Sequence, residues 1–149
     1  MKGKTFESRH SNPGASPGFL LWKAANLHQR LQRQELSELG ISPTQFSLLA
    51  SYFFLCGVQD GPVSQADVCD HASLDKMLVS DGTRALLRKK LIARKRSDTD
   101  GRAFAIELTA SGVAICNRAL QVVEAMDANF FAKTGDVTEF VRLTSRLLR

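Results

Sequence analysis

Between residues 64 and 108 the chain passes from two short stretches of helical spacing to two of strand alternation, and few folds accommodate that order of pieces. Ser64 followed three residues later by Asp67 is a variant of the capping box with an acid near the helix start, and it predicts a short helix over residues 65 to 71. Residues 72 to 74 make a tight break, after which Ser73 or Asp75 can cap a helix that runs to about Lys90. Two short helices about such a turn form the helix-turn-helix layout. Residues 92 to 96 and 103 to 108 then read as strands, the second alternating Phe104, Ile106 and Leu108, with Asp100-Gly101 in a hairpin turn over 97 to 102. A basic hairpin directly after the second helix is a wing.

The flanks are helical. Phe19, Leu20, Trp22, Ala25, Leu27, Leu31, Leu36 and Leu39 recur at helical spacing over residues 19 to 39, and Gly40 stops that helix. Ser42-Pro43 opens a helix over 44 to 55 with Phe46, Leu49, Ala50 and Phe53 as its core face, followed by a loop over 57 to 62. Thr109 caps a long helix over 110 to 132, Gly135-Asp136 breaks it, and a last helix spans 137 to 148. The expected fold is mainly α with a small β-hairpin wing, in one domain over 19 to 149 behind a flexible arm of residues 1 to 18. A length of 149 residues with 44% apolar side chains supports one core and not two.

Charge is concentrated in the same region. Residues 84 to 102 carry eight basic and two acidic side chains, giving +6, whereas 1 to 83 carry seven and eight and 103 to 149 carry five and five, giving −1 and 0. The whole excess of +5 therefore sits in one short segment. Clustered cations on an otherwise balanced chain are what binding a polyanion requires, through release of condensed counterions; the alternative is an ordinary solvated face.

The helix ending at Lys90 has two faces. Val79, Gly82, Thr83 and Leu86 fall on the packing side, and Lys76, Met77, Ser80, Asp81 and Arg84 on the other. A helix in a major groove meets bases with its N-terminal half and phosphates with its flanks, so Ser73, Lys76, Met77, Ser80 and Arg84 are the candidate readers. Arg88, with Lys89 and Lys90, falls where a backbone clamp would sit. Arg94, Lys95, Arg96 and Arg102 lie on or beside the wing, and Arg102 is the expected tip that enters a narrow minor groove. Asp81 on the DNA side repels phosphate unless it accepts from a cytosine amino group or pairs with Arg84 or Lys76.

At these residues the chain resembles the multiple-antibiotic-resistance regulator (MarR) family of winged-helix proteins, over about residues 19 to 148. The resemblance rests on Ile41-Ser42-Pro43-Thr44-Gln45-Phe46, on Pro62-Val63-Ser64-Gln65, on Leu91-Ile92-Ala93-Arg94, and most specifically on Asp100-Gly101-Arg102 followed by Leu108-Thr109-Ala110-Ser111-Gly112. It implies a homodimer assembled by residues 19 to 39 and 110 to 148, with residues 41 to 109 as the lobe that binds a pseudo-palindromic duplex-DNA operator. It further implies release of that operator when a small-molecule effector or an oxidant arrives. Two positions depart from the family pattern: Lys90 stands where many members have glycine, and Gly82 weakens the middle of the reading helix by roughly 1 kcal/mol relative to alanine.

Other chemistry finds little support in the sequence. There is no Gly-rich phosphate loop, nucleophile elbow or carboxylate pair, so no enzyme and no cofactor is expected. His10, His28 and His71 are far apart and no metal spacing occurs. Cys56, Cys69 and Cys116 read as interior residues, which makes thiol sensing the lesser alternative beside core packing. Trp22, His28, Phe46 and Tyr52 are the candidates for an effector pocket, with ordinary core packing the prevailing alternative for each. No apolar run reaches the roughly 20 residues of a bilayer span and no leader is recognised, so a cytoplasmic protein is expected. A winged-helix module that binds RNA or a protein partner is the remaining alternative.

Overall fold

The computed structural model describes residues 7–96 and 104–149. In chain order its elements are α1 (Pro17–Leu36), α2 (Pro43–Val58), α3 (Gln65–Ala72), α4 (Lys76–Arg88), β1 (Ile92–Arg96), β2 (Phe104–Leu108), α5 (Ala110–Phe131) and α6 (Val137–Leu147). Side chains set most of the helix starts. Ser42 and Gln45 form a full capping box at α2, Ser64 and Asp67 another at α3, and Thr109 accepts from the Gly112 N–H at α5. Asp75, not Ser73, caps α4: it accepts from the Leu78 N–H, while Ser73 closes α3 with a left-handed backbone at φ 51°.

Helix α1 begins earlier than the apolar spacing suggests. Pro13–Ala15 make a 3-10 turn and Ser16 caps the helix at Pro17, so the arm expected over residues 1 to 18 is already folded at its end. Residues 1 to 6 lie outside the described residues. After Leu36 the chain tightens into a 3-10 turn, Ser37–Leu39, and Gly40 at φ 67° swings it through 77° into α2.

Helix α2 is the centre of the molecule, packed by α1, α3, α4, α5 and β2. That setting corrects its expected core face. Phe53 is 38% exposed, whereas Leu48, Leu49 and Tyr52 are fully buried. A helix surrounded on several sides has no single inward stripe, and spacing alone then selects the wrong neighbour. The core continues through Val63, Val68, Val79, Leu86, Ile92 and Ile106 to Cys116, Ala119, Val123 and Met126 of α5. Within it Tyr52 Oη and Thr83 Oγ1 share a hydrogen bond of 3.0 Å. Among the described residues no buried side-chain polar atom lacks a partner.

The two strands pair antiparallel with Ile92 opposite Leu108, Arg94 opposite Ile106 and Arg96 opposite Phe104. The Ile106 N–H donates to Val63 O at 3.1 Å, which ties the root of the hairpin to the lead-in of α3. Helix α6 differs from the rest: none of its residues is buried.

Two glycines are required by close packing. A Cβ on Gly82 would come within 2.1 Å of Leu48 Cδ1, and one on Gly112 within 1.8 Å of Leu91 O. Gly82 thus trades helix propensity for the approach of α4 to α2. Alanine at either site raises helix propensity by about 1 kcal/mol, yet Gly82→Ala is expected to destabilise by about 1 kcal/mol or more because Leu48 is enclosed. Gly112→Ala is expected to cost more, since backbone must move; urea midpoints of the two variants against wild type check both the sign and the order.

Candidate nucleic-acid interface

Helix α4 presents the two faces expected of it. Val79, Thr83 and Leu86 are fully buried, while Lys76, Asp81, Arg84 and Arg88 are exposed and Ser80 is half-buried. Met77, Asp81, Arg84 and Arg88 follow at intervals of four, three and four residues and so form one exposed strip. Met77 is 75% exposed, at the N-terminal end of this strip. Leu78, assigned to neither face from the sequence, is 39% exposed at the foot of the helix. Ser73 is exposed in the turn just before it.

The place of Asp81 is settled by the fold: Arg84 Nη2 donates to Asp81 Oδ1, so the acid pairs with Arg84 and not with Lys76. The N-terminal support of this unit is equally local. The Ser64 N–H and hydroxyl donate to Asp67 Oδ2 at 2.7 and 2.8 Å, and those bonds, the backbone one first, hold the Asp67 carboxyl below its usual range.

The end of α4 is a Schellman turn, in which the Leu91 N–H reaches Leu86 O at 3.1 Å and the Lys90 N–H reaches Leu87 O at 2.9 Å. Lys90 adopts the left-handed conformation, φ 56°, that glycine usually supplies at this position. Its carbonyl is fixed by the Thr109 and Ser111 hydroxyls at 2.8 and 3.2 Å. Lys89, expected near a phosphate clamp, is occupied elsewhere. Its Nζ donates to Gly40 O and, at 2.8 Å, to Gln45 Oε1, binding the end of α4 to the α1–α2 corner. No sequence signal marks that role, because the partners lie more than forty residues away in the chain.

On the hairpin, Arg94 is exposed and sits opposite Ile106, and Lys95 forms a 3.2 Å ion pair with Glu107. Arg96 ends β1, and its side chain, like the whole expected turn with Asp98, Asp100 and Arg102, lies outside the described residues. The structure therefore brings Lys76, Met77, Ser80, Arg84 and Arg88 onto one face of α4 and continues the basic segment into β1.

The four effector candidates lie in different surroundings. Tyr52 and Phe46 belong to the core, and burial pushes the Tyr52 phenol up. Trp22 is 63% exposed and stacks on Phe19. His28 lines a cavity of about 610 Å³ with Leu21, Phe130, Phe131, Lys133 and Phe140. Its Nε2 lies 2.7 Å from Asp127 Oδ1.

The cysteines need one correction. Cys56 is exposed, not interior; its Sγ donates to Ile106 O at 3.4 Å, and it borders a cavity of about 420 Å³ beneath β2. Burial of the sulfur, with the nearby Glu107 charge, nevertheless raises the Cys56 thiol, and burial raises Cys116. Raised thiols are protonated near neutral pH and are poor nucleophiles. Among the described residues no group of three or more His, Cys, Asp or Glu could hold a metal ion, and no single helix is long and apolar enough to cross a membrane.

Comparison with known proteins places this geometry. A family profile described as a winged helix DNA-binding domain matches residues 53–112. The chain is 32% identical over 144 residues to YdcH of Bacillus subtilis, described as an uncharacterized HTH-type transcriptional regulator, covering 97% of each chain. It is also 30% identical to the Mycobacterium tuberculosis MarR-family protein Rv2887, solved in complex with salicylic acid, covering 90% of this chain and 94% of that one with a TM-score of 0.64. The chain belongs to the MarR family.

A mutant MarR of E. coli solved with operator DNA superposes with a TM-score of 0.76 at 23% identity, covering 89% of this chain and 93% of that one, which shows the same fold. Within this MarR-family protein, Lys90 supplies the left-handed residue at the end of α4 at a steric cost. Lys90→Gly is expected to stabilise the chain by about 1 kcal/mol, measured by urea unfolding. The same change removes one cation beside the reading helix and, if Lys90 meets a phosphate, lowers the slope of log affinity against log salt by about 1.

Proposed function

We propose that this protein is a homodimeric, sequence-specific duplex-DNA-binding transcriptional regulator, without enzymatic activity, that represses from a pseudo-palindromic operator and is released by a small-molecule effector. The observation that carries this reading is the exposed strip of α4, with Arg84 and Arg88, running on into a basic hairpin whose root is fixed to the same core. In this reading residues 41 to 109 are the DNA-binding lobe, and residues 19 to 39 and 110 to 148 are the dimerisation helices of a single domain. Lys76, Met77, Ser80 and Arg84 face the major groove with Ser73 at the approach, and Arg88, Arg94 and Arg96 meet the backbone. Arg102 serves at the wing tip.

The names of relatives support it. Rv2887 is described as an HTH-type transcriptional repressor, its structure holds salicylic acid, and the E. coli MarR structure holds operator DNA. The apolar surface supports a dimer. Val137, Phe140, Val141, Leu143 and Leu147 of α6 are 36% to 75% exposed, and the N-terminal turn of α1 leaves Phe19, Leu20, Leu21 and Trp22 between 42% and 63% exposed. A second copy would cover both surfaces, and a two-fold protein reads two half-sites about one helical turn apart. The cavity at His28 is of the size that small ligands occupy and is the effector site in this reading. Such a regulator acts in the cytoplasm.

Gel shifts with duplex DNA, duplex RNA and single strands over a range of salt concentrations test the reading. Tightest binding to duplex DNA containing a two-fold site, weakening steeply with salt, is expected; equal or tighter binding to RNA overturns it. Arg102→Ala is expected to weaken duplex binding roughly tenfold, and unchanged affinity removes the wing from the interface. Val141→Asp is expected to convert a dimer to a monomer by light scattering, because it places a charge at the centre of the apolar face of α6.

A further inference from the structure

We infer that Asp81 is a specificity-determining residue acting through Arg84, and that the pair reads one G·C base pair in each half-site; this rests on the regulator reading above and deepens it. The geometry starts with the strip Met77, Asp81, Arg84 and Arg88 on the exposed side of α4. A carboxylate facing a polyanion opposes binding, yet here it sits at the centre of the reading face. Its charge is matched within the helix, since Arg84 Nη2 donates to Asp81 Oδ1.

The charge along α4 separates attraction from reading. Residues 75 to 84 hold Asp75, Lys76, Asp81 and Arg84, two acids and two bases, so this stretch is electrically neutral. Arg88, Lys89, Lys90, Arg94, Lys95 and Arg96 follow without an acid among them in the chain, although Glu107 matches Lys95 across the hairpin. Sequence-independent pull on phosphate comes from that flank. The neutral middle adds affinity only where base edges match its hydrogen-bonding groups.

The matching edge follows from the chemistry of the two side chains. A guanidinium is a planar fork of five N–H donors, and one of its nitrogens is engaged by Asp81 Oδ1. A buttressed fork has fewer orientations to lose on entering the groove, which favours two parallel bonds to adjacent acceptors over a loose contact to phosphate. Only guanine presents such adjacent acceptors, O6 and N7, in the major groove. Beside them the paired cytosine offers its amino group, and Asp81 Oδ2 is an acceptor for it. In free solution the pair is more than half exposed on both sides, 62% for Arg84 and 58% for Asp81, and contributes little to folding. Asp81 can therefore be replaced without damaging the core.

The test selects binding sites from a randomised duplex pool with wild type, Asp81→Asn, Asp81→Glu and Arg84→Ala. Affinities are then measured for the selected operator, for the operator with the assigned G·C pair exchanged for A·T, and for an unrelated duplex at several salt concentrations. Wild type is expected to select an invariant G·C pair in each half-site and to lose roughly tenfold in affinity or more when it is exchanged. Asp81→Asn is expected to lose that preference at that pair alone while binding the unrelated duplex severalfold tighter, because a repelling charge is gone. Asp81→Glu should recover part of the preference, and adding Asp81→Asn to Arg84→Ala should lower discrimination no further. An unchanged base preference in Asp81→Asn, with affinity shifted equally for all duplexes, overturns the inference and leaves the regulator reading standing. Failure of wild type to select any duplex overturns both.

Discussion

Leu91 directs its carbonyl oxygen at the one residue near the start of α5 that has no side chain, and the relative placement of α4, the hairpin and α5 depends on that approach. The same oxygen accepts from the Thr109 N–H at 3.1 Å and the Thr109 hydroxyl at 3.2 Å, while Lys90 O accepts from Thr109 and Ser111. The end of α4, the first residue before β1 and the first turn of α5 are therefore bonded within one small joint. Any rotation of α5 must either carry α4 and β1 with it or break these bonds. Helix α5, which the proposed reading assigns to the dimer, is in this way mechanically continuous with α4, which it assigns to DNA.

The second fixed point lies at the opposite corner. Gln45 Oε1 accepts from the Ser42 N–H as part of the α2 capping box and also from Lys89 Nζ, which reaches Gly40 O as well. One amide oxygen thus serves a helix start and the end of another helix. Together the two joints hold both ends of the segment from Lys89 to Leu91, which explains why a lysine can occupy a left-handed position that suits glycine: the hydrogen bonds around residues 89 to 91, including both bonds of the Schellman turn, hold the backbone there.

Much of this was legible in the sequence because it is local. Ser42 with Gln45, Ser64 with Asp67, Thr109 with Gly112 and the stop at Gly40 are contacts within four residues, and each placed a helix end to within a few positions. The two faces of α4 were legible for the same reason. What escaped depends on neighbours distant in the chain. Phe53 was placed inside because α2 looked one-sided, whereas five elements surround it. Gly82 looked like a weakness until Leu48 was found against it. Lys89 and Lys95 counted toward the basic segment, but one is engaged by Gly40 and Gln45 and the other by Glu107. Net charge therefore overstates the cations available to a partner, and the choice of Arg84 as the mate of Asp81 required coordinates. Of the effector candidates, Phe46 and Tyr52 pack in the core and Trp22 is exposed on α1, surroundings that depend on neighbours distant in the chain.

Helix α6 has eleven residues and buries none of them within its own chain. A segment that short is marginal alone in water, so its persistence depends on what settles against it. If that is a second copy, order at the C-terminus rises and falls with protein concentration. Abundance then becomes an input in its own right: at concentrations below the dissociation constant of the dimer the chain loses a helix and a half-site at once, and occupancy of the operator responds to copy number more steeply than linearly.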